Sequence, residues 1–456
     1  MSKPIIGGLT AICLAIPGVA VFAAPPVIDA SSVTLSQVGN RTAVVRYRLT
    51  GAPAVVTFDI EHRDGDGNWS SIDVDFVTLS GDVNRLVQPD DSALKEIRWE
   101  ARNDWPDQSF QDGSIRARVT AWDKAAPPDY MVIDLSDFSE TFYETADRLP
   151  LGGLSNDYYR TNALVMRRIH AAGQTFVMGQ QTRDSDSSTC EASFRYRAPE
   201  HWVSLTNDFY MAVFETTQRQ HQRLQLVDGG GNKDSRDLTS VMQPVDAMSY
   251  NKLRGSVEEG IDWPVTGTAV GGLLAAFRAN SGIEFDIPTE AEWEFACRAG
   301  TQSAFYDGSE FTTADEGSAT LGDLAWFCGN CVADSELTND NGYYGGIKVP
   351  GLKRPNAWGL YDMYGNASEW CKDWAGAYDT ASAPTIAPGG AASNAENTVG
   401  RRIKRGGNWR GPGAFASSSG RRSNEVTYTV DAGNAPSQGS ATWANGYRLV
   451  CPAVAK

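Results

Sequence analysis

Three groups of residues in this 456-residue chain have types and spacings that could carry chemistry. The first is GLYDMYGNASEWCKDW at 359–374, where four aromatics accompany the charged positions Asp362, Glu369, Lys372 and Asp373. Gly365-Asn366 in its middle argues against a helix, in which glycine costs about 1 kcal/mol relative to alanine, and against a regular strand. The stretch therefore reads as a compact irregular turn pinned by large side chains, with the Asp362 and Glu369 carboxylates pointing into it. A packed turn must satisfy its backbone carbonyls, and a hard cation bound by oxygen is one way to do so.

The second group is RRIKRGGNWRGPG (401–413) with GRRSN (420–424), which concentrates seven basic residues in an otherwise acidic chain. Trp409, Arg410, Arg421 and Arg422 suit a peptide, glycan or carboxylate ligand, because guanidinium forks pair with such groups. A competing reading makes Arg421 or Arg422 a buried ion pair. The third group is Cys328-x-x-Cys331, a spacing that binds metal or exchanges disulfides. No second pair and no flanking βαβ pattern accompany it, so a structural disulfide is expected, between these two or with other partners. The four histidines, His62, His170, His201 and His221, show no close paired spacing and support no facial iron triad. No G-x-S-x-G, H-E-x-x-H or Walker sequence occurs, and no residue is assigned a catalytic role.

The framework that carries these residues divides in two. Residues 1–23 read as a secretory signal: Lys3 is its positive end, 5–21 are largely apolar, and Val21-Phe22-Ala23 suits cleavage. No other stretch approaches 18 apolar residues, so no membrane span is expected once the signal is removed. Loss of Lys3 leaves 39 basic against 56 acidic residues, a net charge of −17, which argues against nucleic acid and anionic membranes as partners. Six cysteines remain after Cys13 leaves, and an even number in an exported chain suggests disulfides. Residues 24–125 alternate in period two at 41–50, 54–63, 94–102 and 114–122, separated by turns such as Asp64-Gly65-Asp66-Gly67. That pattern indicates an all-β sandwich of fibronectin type III or immunoglobulin character, and without a Cys-Trp-Cys core the fibronectin form is preferred. Residues 126–160, with Pro127-Pro128 and the apolar run 131–135, read as a linker. In the second domain, 161–456, short helical patterns fall at 244–255 and 271–282. Thr289 with Glu292 forms a capping box that opens a helix ended by Gly300, burying Trp293, Phe295 and Ala296.

The 359–374 stretch resembles the GLYDM-x-GNVWEW signature of the formylglycine-generating enzyme family, the sulfatase-modifying factor domain. Four more landmarks follow that family's order: TFVMG at 175–179, HWVSLTNDFYMAVFETTQRQ at 201–220, IPTEAEWEFACRAG at 287–300, and RGGNWR at 405–410 closed by GYRLV at 446–450. The resemblance implies an irregular α+β domain related to C-type lectins. It implies a calcium ion held by the Asp362 and Glu369 side chains and the Gly365 and Ala367 carbonyls. A second calcium region would fall at 327–343, where Asn330, Asp340 and Asn341 do not match the family's pattern. It makes 401–424 the floor of a substrate groove. Copper-binding thiolates would fall at Gly411 and Ala416, neither of which ligates metal, so copper and iron are not expected and formylglycine generation by that route is not either. The expectation is a secreted, periplasmic or cell-surface recognition module for protein, peptide or glycan, stabilised by calcium. An oxidase or protein-maturation enzyme of the same family is the alternative.

Overall fold

The period-two alternation of the first hundred residues becomes two antiparallel sheets in the computed structural model, which describes residues 24–72, 74–108, 113–180, 199–226, 241–255, 272–312, 319–331, 346–378, 384–386, 401–425 and 444–456. Strands β1 (Val27–Val38), β2 (Thr42–Thr50), β3 (Ala54–Arg63), β4 (Trp69–Ser71), β5 (Leu79–Gly81), β6 (Arg85–Val87), β7 (Lys95–Trp99) and β8 (Ile115–Asp123) form them. One sheet runs β1-β2-β7-β5; in the other β3 pairs with β4, β6 and β8. Val45, Tyr47 and Leu49 of β2 meet Val56, Phe58 and Ile60 of β3 and Trp99 of β7 in a shared core. The 64–67 turn closes the β3–β4 hairpin through a Gly67 N–H bond to the Asp64 carbonyl.

β3 is covered on both faces. Its alternate residues face the segment that the sequence reads as a linker: Thr57 donates to Glu144 at 2.6 Å and Asp59 pairs with Arg148 at 3.2 Å. That segment supplies two strands, β9 (Tyr130–Asp134) and β10 (Glu140–Tyr143). They join β11 (Ala163–Ile169), β14 (Phe209–Ala212) and β20 (Val450–Pro452) in a five-stranded sheet ordered β10-β9-β11-β14-β20. The apolar run at 131–135 is buried in that sheet's core.

Two smaller sheets complete the described residues. β12 (Thr175–Met178) pairs with β13 (His201–Ser204), which β16 (Thr385–Ile386) joins in parallel, and so lies in a different sheet from β11, although only a glycine turn separates them. β15 (Ser368–Trp374), β17 (Arg401–Arg405), β18 (Arg421–Glu425) and β19 (Asn445–Gly446) make a sheet ordered β18-β17-β15-β19. Helices are few and short: α1 (Gln218–Leu224), α2 (Tyr250–Arg254), α3 (Gly272–Ser281) and α4 (Glu290–Arg298), with single turns elsewhere. α4 starts with the expected capping box, Thr289 Oγ1 accepting from the Glu292 N–H and Glu292 accepting from the Thr289 N–H. Trp293 and Ala296 are buried and Phe295 is half-buried. The described chain is thus mostly β-sheet, and none of its helices is long and apolar enough to cross a membrane. Residues 1–23 lie outside the described residues.

Candidate functional site

The 359–374 stretch is two things joined: an irregular turn to Ala367, then strand β15. Asp362, Gly365 and Asn366 adopt left-handed backbone, with φ of 52°, 77° and 52°. Gly365 is required there, since an added Cβ would stand 2.1 Å from the Trp326 carbonyl oxygen. The turn is tied down by the Gly365 N–H bond to Gly406 and by the Asn366 N–H bond to Trp326, each 2.8 Å. Leu360, Met363, Tyr364, Trp370 and Cys371 bury its apolar side. Pairing of β15 with β17 and β19 then sets Glu369 opposite Arg405 and Gly446.

Three carboxylates are buried around this turn. Glu369 accepts from the Trp293 indole at 2.6 Å and from the Arg448 guanidinium at 2.7–3.2 Å. Arg448 spends its other donors on the Ala212, Val213 and Tyr361 carbonyls. Glu215 accepts from the Ala367 N–H at 2.8 Å and the Asn366 amide at 2.6 Å. Asp362 accepts from the Gly351 N–H at 2.6 Å through one oxygen, while its Oδ1 is buried and without a hydrogen-bond partner. Burial pushes the Glu215 carboxyl well up, and the neighbouring Asp362 and Glu369 push it further. Burial likewise raises Asp362 to about 6, against the pull of the Gly351 N–H and Arg448. The three acids thus crowd around one fully buried arginine.

The calcium ligands implied by the resemblance fit this arrangement in part. Asp362 Oδ1 is an oxygen open to a cation. Glu369 has both oxygens on N–H donors and would have to exchange Arg448 for the ion. Of the second region, Asn330 is engaged with the Phe327 N–H and the Ala325 carbonyl; Asp340 and Asn341 lie outside the described residues.

The basic segment separates into a buried floor and a half-exposed rim. Arg421 is buried, bonded to Glu290 at 2.6 Å and to the Gly376 carbonyl. Arg405 is buried between Glu290 and Glu294, and Arg298 bonds Glu294 at 2.7 Å. Burial, then the nearby Glu290, raises the Asp373 carboxyl to about 7. Trp409, Arg410 and Arg422 are half-buried. The Arg410 guanidinium lies 5.5 Å from the Trp409 ring, and Arg422 covers Phe415 at 3.9 Å. The four residues expected to bind ligand are therefore not equivalent: Arg421 is buried against Glu290, and the other three are half-buried.

Residues 160–450 match the family described as sulfatase-modifying factor enzyme 1-like domain. The chain belongs to this family. Its relatives include the chaperone protein LppX of Paenibacillus barcinonensis, 26% identical over 37% of this chain and 63% of the relative. The formylglycine-generating enzyme of Bos taurus is 32% identical, over 27% of this chain and 29% of the enzyme. The inactive C-alpha-formylglycine-generating enzyme 2 of Bos taurus is 25% identical, over 46% and 71%. The first two are thus spanned over less than two thirds of their length. The solved structure of Treponema denticola variable protein 1 aligns over 64% of this chain and 95% of its own, with a TM-score of 0.41 and 20% identity.

In this sulfatase-modifying factor domain, the two positions that the resemblance assigns to thiolates are packed. Ala416 is buried, and Gly411 donates to Asn408 and accepts from the Cys328 N–H at 3.1 Å. Five cysteines, Cys297, Cys328, Cys331, Cys371 and Cys451, are free thiols, so the expected disulfides are not formed among the described residues; Cys190 lies outside them. His221 lies in α1, buried between Tyr447 and Gln225 and held neutral by burial, which lowers it to about 3. Sequence reasoning missed Glu215, Trp293 and Arg448 as partners of the turn, although each lies in a family landmark. The available signal was a lone charge inside an otherwise uncharged motif: Glu215 in VFETT, Arg448 in GYRLV.

Proposed function

We propose that this family member is an exported recognition module whose rim, Trp409 and Arg410 with Arg422, binds a peptide or glycan. The observation that carries this reading is the contrast within the basic segment. Arg405 and Arg421 are buried against carboxylates, whereas the indole and guanidinium of Trp409 and Arg410 are only half-buried. Such a pair offers a stacking face together with a fork for carboxylate or hydroxyl groups. Gly411 and Ala416 offer no thiolate, and the likeness to a relative named inactive is in keeping with a role apart from formylglycine generation. Export rests on the charged, apolar and small-residue pattern of residues 1–23. A fibronectin-type character for the N-terminal sheets, acting as spacer or dock, belongs to the same proposal, as does a lectin-like scaffold for the second domain. Calcium enters as the ion assigned by resemblance to the signature turn, with Asp362 Oδ1 open to it and Glu369 available only by releasing Arg448.

The test is a peptide and glycan array probed with the mature chain, the W409A/R410A variant and the R421A variant. Binding lost in W409A/R410A with an unchanged melting temperature supports the reading. Equal binding by that variant, or no ligand at all, sinks it. An oxidase or maturation role is the second reading, favoured by the likeness to formylglycine-generating enzymes. Stoichiometric copper or iron in protein purified without chelator would select it.

A further inference from the structure

The segment after Trp326 carries Cys328-Gly-Asn-Cys331 in a single helical turn: the Asn330 and Cys331 N–H groups both donate to the Phe327 carbonyl, at 3.0 and 2.9 Å. Residues three apart in such a turn share a face, and their Cα atoms lie within about 7 Å, against the roughly 4.4–6.8 Å that a disulfide spans. Gly329 keeps the turn tight, because an added Cβ would stand 2.4 Å from the Phe327 ring. The two thiols are free and differently placed, Cys328 exposed and Cys331 buried. The remaining described cysteines, Cys297, Cys371 and Cys451, are buried in the two cores of the domain. Lys353 holds its ammonium 3.8 Å over the Trp326 ring, and Lys348 is 5.9 Å from it. Both cations favour the Cys331 thiolate against the burial that raises it to about 11.

We propose that Cys328 and Cys331 are a thiol–disulfide exchange pair. The exposed Cys328 thiolate attacks one sulfur of an external disulfide, forms a mixed disulfide and releases one thiol. Cys331, its proton lost to solvent, then attacks the Cys328 sulfur, closes the intramolecular disulfide and expels the second thiol. The protein pair gives up two protons and two electrons, and the external disulfide is reduced to two thiols. The exposed member makes first contact and the buried member resolves it, an order set by access. The turn is bonded to the basic segment and to the signature turn: Cys328 N–H donates to the Gly411 carbonyl at 3.1 Å, and Asn366 N–H donates to the Trp326 carbonyl at 2.8 Å. Closing the ring therefore stiffens the edge of the segment that carries Trp409 and Arg410. The exchange itself is independent of what that segment binds.

The experiment equilibrates the mature chain with oxidised glutathione or with dithiothreitol, then alkylates it under denaturing conditions and maps it by peptide mass spectrometry. The expected result after oxidised glutathione is a 328–331 peptide lighter by two hydrogens and unlabelled, with Cys297, Cys371 and Cys451 still alkylated. C331S should trap one glutathionyl group on Cys328, and C328S should take up none at Cys331. Both thiols still alkylated, Cys328 linked to Cys190 or another cysteine, or C331S without an adduct would each overturn the proposal. The wild-type map needs no variant to fold.

Discussion

Asp362→Asn isolates the electrostatic cost of the signature turn. The native carboxyl is held at about 6 from an ordinary 3.8, burial being the main cause, so the fold prefers its protonated form. Stability from this group is then complete below about pH 4 and lost as the pH rises through about 6. At about 1.4 kcal/mol for each tenfold change in proton affinity, the loss reaches up to about 3 kcal/mol by pH 7. Asparagine removes that loss and tolerates the left-handed backbone at this position. Its new amide has no partner at the place of Oδ1, a penalty of about 1–3 kcal/mol that does not vary with pH. The quantity to read is therefore the difference between wild type and variant as a function of pH. Scanning calorimetry from pH 4.5 to 7.5, at fixed ionic strength and with chelator, reads about 2 kcal/mol of that loss and should show the wild type losing roughly 4–8 °C relative to the variant. Easing of the neighbouring Glu215 adds to the difference with the same sign. Parallel profiles for the two proteins would refute the reasoning. Added calcium that raises the wild-type melting temperature and leaves the variant unmoved would assign the ion to Asp362.

Arg448→Met leaves Glu369 without its cation and takes a guanidinium donor from three carbonyls, and is expected to cost at least about 3–5 kcal/mol, measured by denaturant titration. Gly365→Ala puts a methyl 2.1 Å from the Trp326 carbonyl at a φ of 77°, so a fall of several degrees in melting temperature, or loss of soluble protein, is the expected outcome. Arg421→Ala leaves Glu290 with Arg405 as its remaining guanidinium partner and should lower stability by about 3 kcal/mol, whereas Arg410→Ala at a half-buried position should change stability by less than about 1 kcal/mol and act on ligand affinity; equal stability losses would erase the division into floor and rim. Thr289→Ala removes the α4 cap and should cost about 1 kcal/mol by chemical denaturation.

Features whose cause is local or repeated are legible in the amino-acid order. Alternation in 41–50 and 54–63 becomes β2 and β3, Thr289 and Glu292 cap α4, and Gly365 marks the point where the chain must take positive φ. The ordered landmarks carry the family, because they are short packed motifs legible one at a time. Tertiary structure alone decided which charges meet. Asn366 finds Glu215 across 151 residues, Glu369 finds Arg448 across 79, and Arg421 finds Glu290 across 131. No propensity or period encodes such pairings; they follow from how sheets and loops stack, and burial then makes each unpaired charge costly enough to fix its partner. The same reason divides Arg421 from Arg422, neighbours in a strand whose side chains alternate sides, one turned into the ion-paired floor and the other onto Phe415.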